Sequence, residues 1–196
     1  MFSDPELSDR GEDALAKVKT TLSYRGDVLS TQDDTFAKKL THKGWYTLTA
    51  SATRTGDGYS LPAGMLSPKS STSFHFYDDL TDSVAPVFLT RFESLGLNHA
   101  NTATPGSTTD VELKLDRQQQ GPGATLHADK PSTIKAWASS DNGKTWTAVH
   151  VTHSGSDWSA AVPNPSAAGT VSLRSTVTDA KGNSSTVTVY SAYRVG

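Results

Sequence analysis

Ser132-Thr-Ile-Lys-Ala-Trp-Ala-Ser-Ser-Asp-Asn-Gly-Lys-Thr-Trp-Thr-Ala-Val-His-Val-Thr152 is the stretch that decides the fold. Two β-prone runs flank Asp141-Asn142-Gly143-Lys144. Asn-Gly between alternating runs is a strong hairpin signal, because both residues tolerate the positive φ of a tight turn. Two registers are open. A two-residue Asn142-Gly143 turn pairs Ala136 with Val149 and Ile134 with Val151, leaving Trp137 and Trp146 together on the opposite face. A three-residue turn with Gly143 as bulge residue pairs Ala138 with Trp146 and moves Trp146 to the Ile134 face. The bulged turn is expected, because a buried Trp contributes far more apolar area than a Val. Val149 and Val151 argue for the other register.

Ser139-Ser140-Asp141-Asn142-Gly143-Lys144-Thr145-Trp146 also resembles the Asp box, Ser-x-Asp-x-Gly-x-Thr-Trp, at every fixed position. Asp boxes recur several times in sialidases and other β-propellers, and this chain has one. The resemblance implies a structural hairpin formed by Ser139, Asp141, Gly143, Thr145 and Trp146. In it the Asp caps turn amides, the Gly takes the strained angle and the Trp packs inward. A core Trp146 implies that Trp146→Ala costs about 3–5 kcal/mol.

The chain has 196 residues, enough for one large or two small domains. Its formal net charge is −2, without the basic footprint of a nucleic-acid binder. Residues 1–83 carry 9 basic and 12 acidic residues and residues 84–196 carry 9 and 8, so neither half is polarised enough to name a partner. Thr, Ser and Gly are abundant and helical periodicity is missing, which reads as all-β. There are no cysteines, which excludes a disulfide scaffold and a thiolate metal site. No window approaches the roughly 20 apolar residues of a membrane helix. Met1-Phe2-Ser3-Asp4-Pro5 lacks the basic and apolar regions of a signal peptide, so the expectation is a cytosolic protein or a piece of a larger one.

In chain order, residues 1–14 read as a polar lead-in and Lys17 to Tyr24 as a strand. Arg25-Gly26-Asp27 matches an integrin-binding tripeptide but falls where a hairpin needs a turn, and is read as one. A second run starts at Val28, and Phe36 to Leu40 reads as another short strand. Gly44 to Arg54 is the clearest strand of the first half, with Tyr46, Leu48, Ala50 and Ala52 on one face. Residues 55–71 read as a long loop. Ser73 to Tyr77 alternates, with Phe74 and Phe76 inward. Asp78, Asp79 and Asp82 offer carboxylates to calcium without a Gly-anchored ligand loop, and are read as a solvated linker. Further strands are expected at Pro86 to Phe92, Val111 to Leu115, along the hairpin, and at Asp157 to Val162, Thr170 to Thr178 and Ser184 to Val195. A polar loop runs up to Gly106, and turns fall at 118–123, 163–165 and 179–183. About seven short strands at this spacing in the second half suit a sandwich. The expected architecture is two tandem antiparallel β-sandwich domains, 1–83 and 84–196.

The second half resembles the C-terminal immunoglobulin-like domain of large secreted bacterial subtilisin-like serine peptidases. The resemblance is carried by Ile134 to Ser139, Asp141 to Trp146, Gly169 to Arg174, Val177 to Asn183 and Ala192 to Val195. The first half is similar to the domain preceding it in that family, through Leu22 to Asp27 and Trp45 to Ala50. Phe2-Ser3-Asp4 looks like the tail of a motif whose start is missing. The resemblance implies an immunoglobulin-like or fibronectin III-like second domain, an extracellular location, and a role beside the catalytic domain of a parent chain. It transfers no catalytic residue. The chain has no Gly-Thr-Ser-Met-Ala segment, no His-Gly-Thr-His and no Gly-x-Ser-x-Gly elbow. The implied region is non-catalytic: it would stabilise or orient the catalytic domain, or recruit a protein or polysaccharide substrate.

The remaining constellations are sparse. His42, His75, His99, His127, His150 and His153 include one close pair, His150 and His153, which a strand sends to opposite faces. No cofactor or metal site is expected. Trp45, Trp137, Trp146 and Trp158 suit either core or a sugar-stacking platform; core is expected for all but Trp137, the one candidate for a binding surface. Clustered exposed aromatics on one face would favour a carbohydrate- or surface-binding module instead.

Overall fold

A computed structural model describes residues 16–33, 38–54, 65–81, 85–117 and 130–196. The described residues are all-β and form one long hydrogen-bonded ladder. Its twelve strands are β1 Ala16–Tyr24, β2 Asp27–Asp33, β3 Gly44–Arg54, β4 Lys69–Asp78, β5 Phe88–Ser94, β6 Thr102–Ala103, β7 Thr108–Arg117, β8 Pro131–Ser139, β9 Thr147–Ser154, β10 Asp157–Pro163, β11 Gly169–Asp179 and β12 Ser184–Val195. They run in the order β2-β1-β3-β4-β12-β11-β8-β9-β10-β7-β5. Every pairing is antiparallel except that of the two-residue β6, which joins the end of β12 in parallel.

Alternation gives the ladder two chemically different faces. On the inner face Leu22, Tyr46 and Phe76 are buried, with Tyr24, Leu40, Leu48, Phe74, Ala85 and Val87 packed on them. Further along that face Ile134 and Ala136 of β8, Val171, Leu173 and Val177 of β11, and Tyr193 and Val195 of β12 share one buried cluster with Phe88, Val111, Leu113, Ala160 and Val162. The last five come from β5, β7 and β10, so the far end of the ladder closes over its middle.

The strands of the first half join those of the second through β4 and β12. Ser184 to Tyr190 pairs with His75 back to Lys69. Beyond Tyr190 the chain bulges: β11 shifts register between Val171 and Leu173 opposite Ser191, whose φ is +50°. The Ser191 amide donates to Ser172 Oγ at 3.0 Å, so the irregular residue keeps a partner. Past the bulge β12 leaves β4 and meets β6.

Most expected strands are present with extended ends, and Gly44–Arg54 and Ser184–Val195 have the expected bounds. Three details differ. The loop before Gly106 contains β6. Lys38 to Leu40 is not a strand; Leu40 packs on the Tyr46 cluster. Of the expected loop at 55–71, residues 55–64 lie outside the described residues, and β4 already begins at Lys69. The expected lead-in at 1–14, Phe36, the turn at 118–123, His127 and Asp82 lie outside the described residues.

Tyr193 is fully buried and donates to Asn164 Oδ1 at 2.8 Å. Asn164 Nδ2 donates in turn to Thr109 Oγ1 at 2.8 Å and Ser107 Oγ at 3.0 Å, so a polar knot ties the 163–165 turn to β7 and β12. Burial pushes the Tyr193 phenol up to about 12. Tyr193→Phe would leave Asn164 Oδ1 without this donor, and we expect urea unfolding to show a loss of about 1–3 kcal/mol. A raised phenol means the folded state holds its proton more tightly. Its stabilisation should therefore hold below about pH 10 and fade as pH rises toward 12, a fade absent in Tyr193→Phe.

Candidate functional site

The hairpin loop is built by its own side chains. Ser139 Oγ donates to Asp141 Oδ1 at 2.7 Å and accepts the Gly143 amide at 2.8 Å. Asp141 also accepts the Thr145 amide at 2.9 Å and Thr145 Oγ1 at 2.6 Å. These donors hold the Asp141 carboxyl well below the usual carboxylate range, the Thr145 hydroxyl contributing most. Asn142 and Gly143 both have positive φ, +59° and +82°.

The register is not the bulged one. Ala136 pairs with Val149, Trp137 with Ala148 and Ala138 with Thr147, so residues 139–146 make a wide loop rather than a three-residue turn. Val149 and Val151 pack on the main core. Trp146 is therefore not a core residue. It lies half-buried on the outer face, the face it shares with Trp137 in this register. There the Arg174 guanidinium sits 4.0 Å over its ring and Tyr190 meets it edge-on at 6.4 Å. Its indole N–H donates to Gly143 O at 3.1 Å. An Arg and a Tyr on neighbouring strands thus give Trp146 the cover that the core would otherwise supply.

The same outer face carries more. Across the ladder from Trp137, paired residues run Arg174, Thr188, Ser71, Ser51 and Lys19. The adjacent row runs Thr176, Thr186, Ser73, Thr49 and Thr21. Thr suits strands and pairs across them, as in the 2.8 Å Thr176–Thr186 hydroxyl contact. Small side chains leave a groove here of about 280 Å³, floored by Thr21, Thr49, Ser51, Ser71, Ser73 and Thr188.

Aromatic side chains stand at both ends of the groove. At one end Trp45 stacks on His75 with ring centroids 4.7 Å apart and planes 6° from parallel, and Tyr77 meets Trp45 edge-on. At the other, the Lys69 ammonium lies 4.9 Å over Tyr190, which leads to Trp146 and Arg174. Trp137 is half-buried and paired with Arg174. Sequence reasoning singled out Trp137 and missed this cluster, because Lys69 on β4 is more than a hundred residues away from Arg174 and Tyr190.

The other singled-out groups are elsewhere. Arg25 and Gly26 form the turn between β1 and β2, with φ of +51° and +96°. Asp78 accepts the Leu80 amide at 2.6 Å, and Asp79 accepts the Thr81 amide and hydroxyl. His153 packs on Trp158 at 4.2 Å. Among the described residues no group of three or more His, Asp or Glu is placed to hold a metal ion, and no helix is long and apolar enough to cross a membrane. Comparison with protein-family models, curated proteins and solved structures finds no match. What the fold itself defines is an all-β chain with one apolar and one hydroxyl-rich sheet face.

Two kinds of test address the hairpin, first of packing at Gly143 and Trp146 and then of charge at Asp141. A Cβ at Gly143 would lie 2.5 Å from a Tyr190 ring carbon, at a φ that L residues disfavour. Gly143→Ala should therefore cost at least about 1–2 kcal/mol in urea unfolding. Trp146→Ala should cost about 1–2.5 kcal/mol, from one aromatic pair and one cation–π contact, rather than the loss of a core Trp. Second, a carboxyl whose folded pKa is depressed stabilises above its unfolded value near 4 and loses that contribution as pH falls below it. Thermal unfolding between pH 5 and pH 2.5 should therefore fall more steeply for the wild type than for Asp141→Asn.

Proposed function

We propose that this chain is a non-catalytic accessory region of a secreted subtilisin-like serine peptidase, stabilising or orienting the catalytic domain or recruiting its substrate. We read its second segment as an immunoglobulin-like sandwich. The observation that supports the reading is spatial. The stretches that carry the family resemblance in the second half are 134–139, 141–146, 169–174, 177–183 and 192–195; 141–146 is the loop that leaves β8, and the others fall on or beside β8, β11 and β12, which are consecutive neighbours in the ladder. Those of the first half fall on β1, β3 and the turn into β2, also neighbours.

A second reading, a carbohydrate- or surface-binding module, is favoured by a separate observation: Trp45, His75 and Tyr77 at one end of the hydroxyl groove, and Tyr190 and Trp146 at the other.

The first reading is tested in two ways. The reading frame upstream of Met1 should encode the Asp, His and Ser motifs of a subtilisin-like domain. The purified chain should not hydrolyse casein. An upstream stop codon in frame, or casein hydrolysis blocked by a serine-directed inhibitor, would contradict it.

A further inference from the structure

We infer that the groove across β1, β3, β4 and β12 binds an anionic, uronate-type polysaccharide, a proposal that rests on the second reading above and names the ligand class. Three features of the outer face converge on that chemistry.

The first is the floor. Ser51, Ser71 and Ser73 present hydroxyls that make no hydrogen bond among the described residues, and they line the groove. Hydroxyls donate and accept, as sugar hydroxyls do, so a saccharide can exchange hydrogen bonds with this floor without stranding a charge. The groove is partly open rather than enclosed, which suits a chain lying across it rather than a buried small molecule.

The second is the pair of aromatic ends. His75 and Lys69 lie six residues apart on β4, roughly 20 Å at strand rise. The Trp45–His75 stack stands at one end and the Tyr190 ring at the other. Flat rings with polar edges cover the apolar faces of sugar rings at low conformational cost.

The third is charge. Lys19, Lys69, Lys135 and Arg174 lie on the rows of this face described above or beside them, against one carboxylate, Asp33, on the same rows. The whole chain has a net charge of −2, so the cationic excess is local. Lys19 and Lys135 form no ion pair among the described residues. Arg174 spends Nε on Thr188 Oγ1 at 3.2 Å, leaving its two η nitrogens to offer a carboxylate a forked donor. Lys19 and Arg174 stand four strands apart, roughly 19 Å, on either side of the floor. A polymer with carboxylates at intervals meets these separated cations; a neutral one does not.

The test is affinity electrophoresis of the full chain in gels containing alginate, polygalacturonate, dextran or poly-L-glutamate, at low and at 0.5 M salt (about a 4 Å screening length). Alginate or polygalacturonate should retard the chain, and salt should weaken the effect. Ser73→Glu places a carboxylate on the floor and should weaken retardation at least about tenfold, since like charges in contact cost several kcal/mol. Lys19→Gln with Lys69→Gln changes exposed side chains only, so it reads the same site should Ser73→Glu not fold. Retardation by dextran alone would overturn the inference and keep the second reading. No retardation by any polysaccharide would overturn both. Equal retardation by poly-L-glutamate would assign the face to acidic polypeptides and overturn the saccharide. Unchanged binding of both variants would place the site elsewhere and overturn it as well.

Discussion

β12 is hydrogen-bonded along both edges, and the rest of the structure depends on that. One edge takes β11 and the other takes β4, from a segment more than a hundred residues earlier. A strand paired on both sides cannot change register without moving its side chains to the wrong face. Val187 must therefore lie over the inner face while Thr186 and Thr188 look outward. The Ser191 bulge confines this double pairing to Ser184–Tyr190 and releases the last residues toward β6, where Tyr193 and Val195 enter the main core.

Because β12 joins the two groups of strands, the outer face is continuous across them. The groove floor draws on β1, β3, β4 and β12, and the cluster at its end draws on β4, β11, β12 and the hairpin loop. Neither half holds the whole site. The hairpin loop belongs to this arrangement: the turn geometry at Gly143 leaves room for Tyr190, and Tyr190 backs Trp146. The ionic contacts of β5 and β7, such as Arg91 with Asp116 at 2.5 Å and Lys114 with Glu112 at 2.6 Å, are exposed pairs of small energetic weight and lie outside this site.

Individual strands were legible in the sequence because their causes are local. Gly44–Arg54 and Ser184–Val195 have clean alternation and turn residues at their ends. The hairpin register was misread because burial was credited only to the core. Arg174 and Tyr190 cover Trp146 on the other face, while Val149 and Val151 take the inner positions. Pairing between β4 and β12 has no local signal, since periodicity says which face a residue takes and not which strand lies beside it. The groove was missed for a related reason. Ser51, Ser71, Ser73, Thr186 and Thr188 read one by one as ordinary strand residues, and only pairing makes them a surface.

Since the continuous outer face rests on the β4–β12 register and the chain has no cysteines, an engineered disulfide tests that register directly. Ser73 lies opposite Thr186, while Thr188 is its diagonal neighbour. Directly opposite residues have Cβ atoms about 4.5–5.5 Å apart and diagonal ones are about 7–8 Å apart, beyond easy bridging. Under mild oxidation Ser73→Cys with Thr186→Cys should give a monomeric crosslinked chain with no free thiol, and Ser73→Cys with Thr188→Cys should keep both thiols. Free thiols in the first variant, or equal crosslinking in both, would contradict the register and the single continuous ladder built on it.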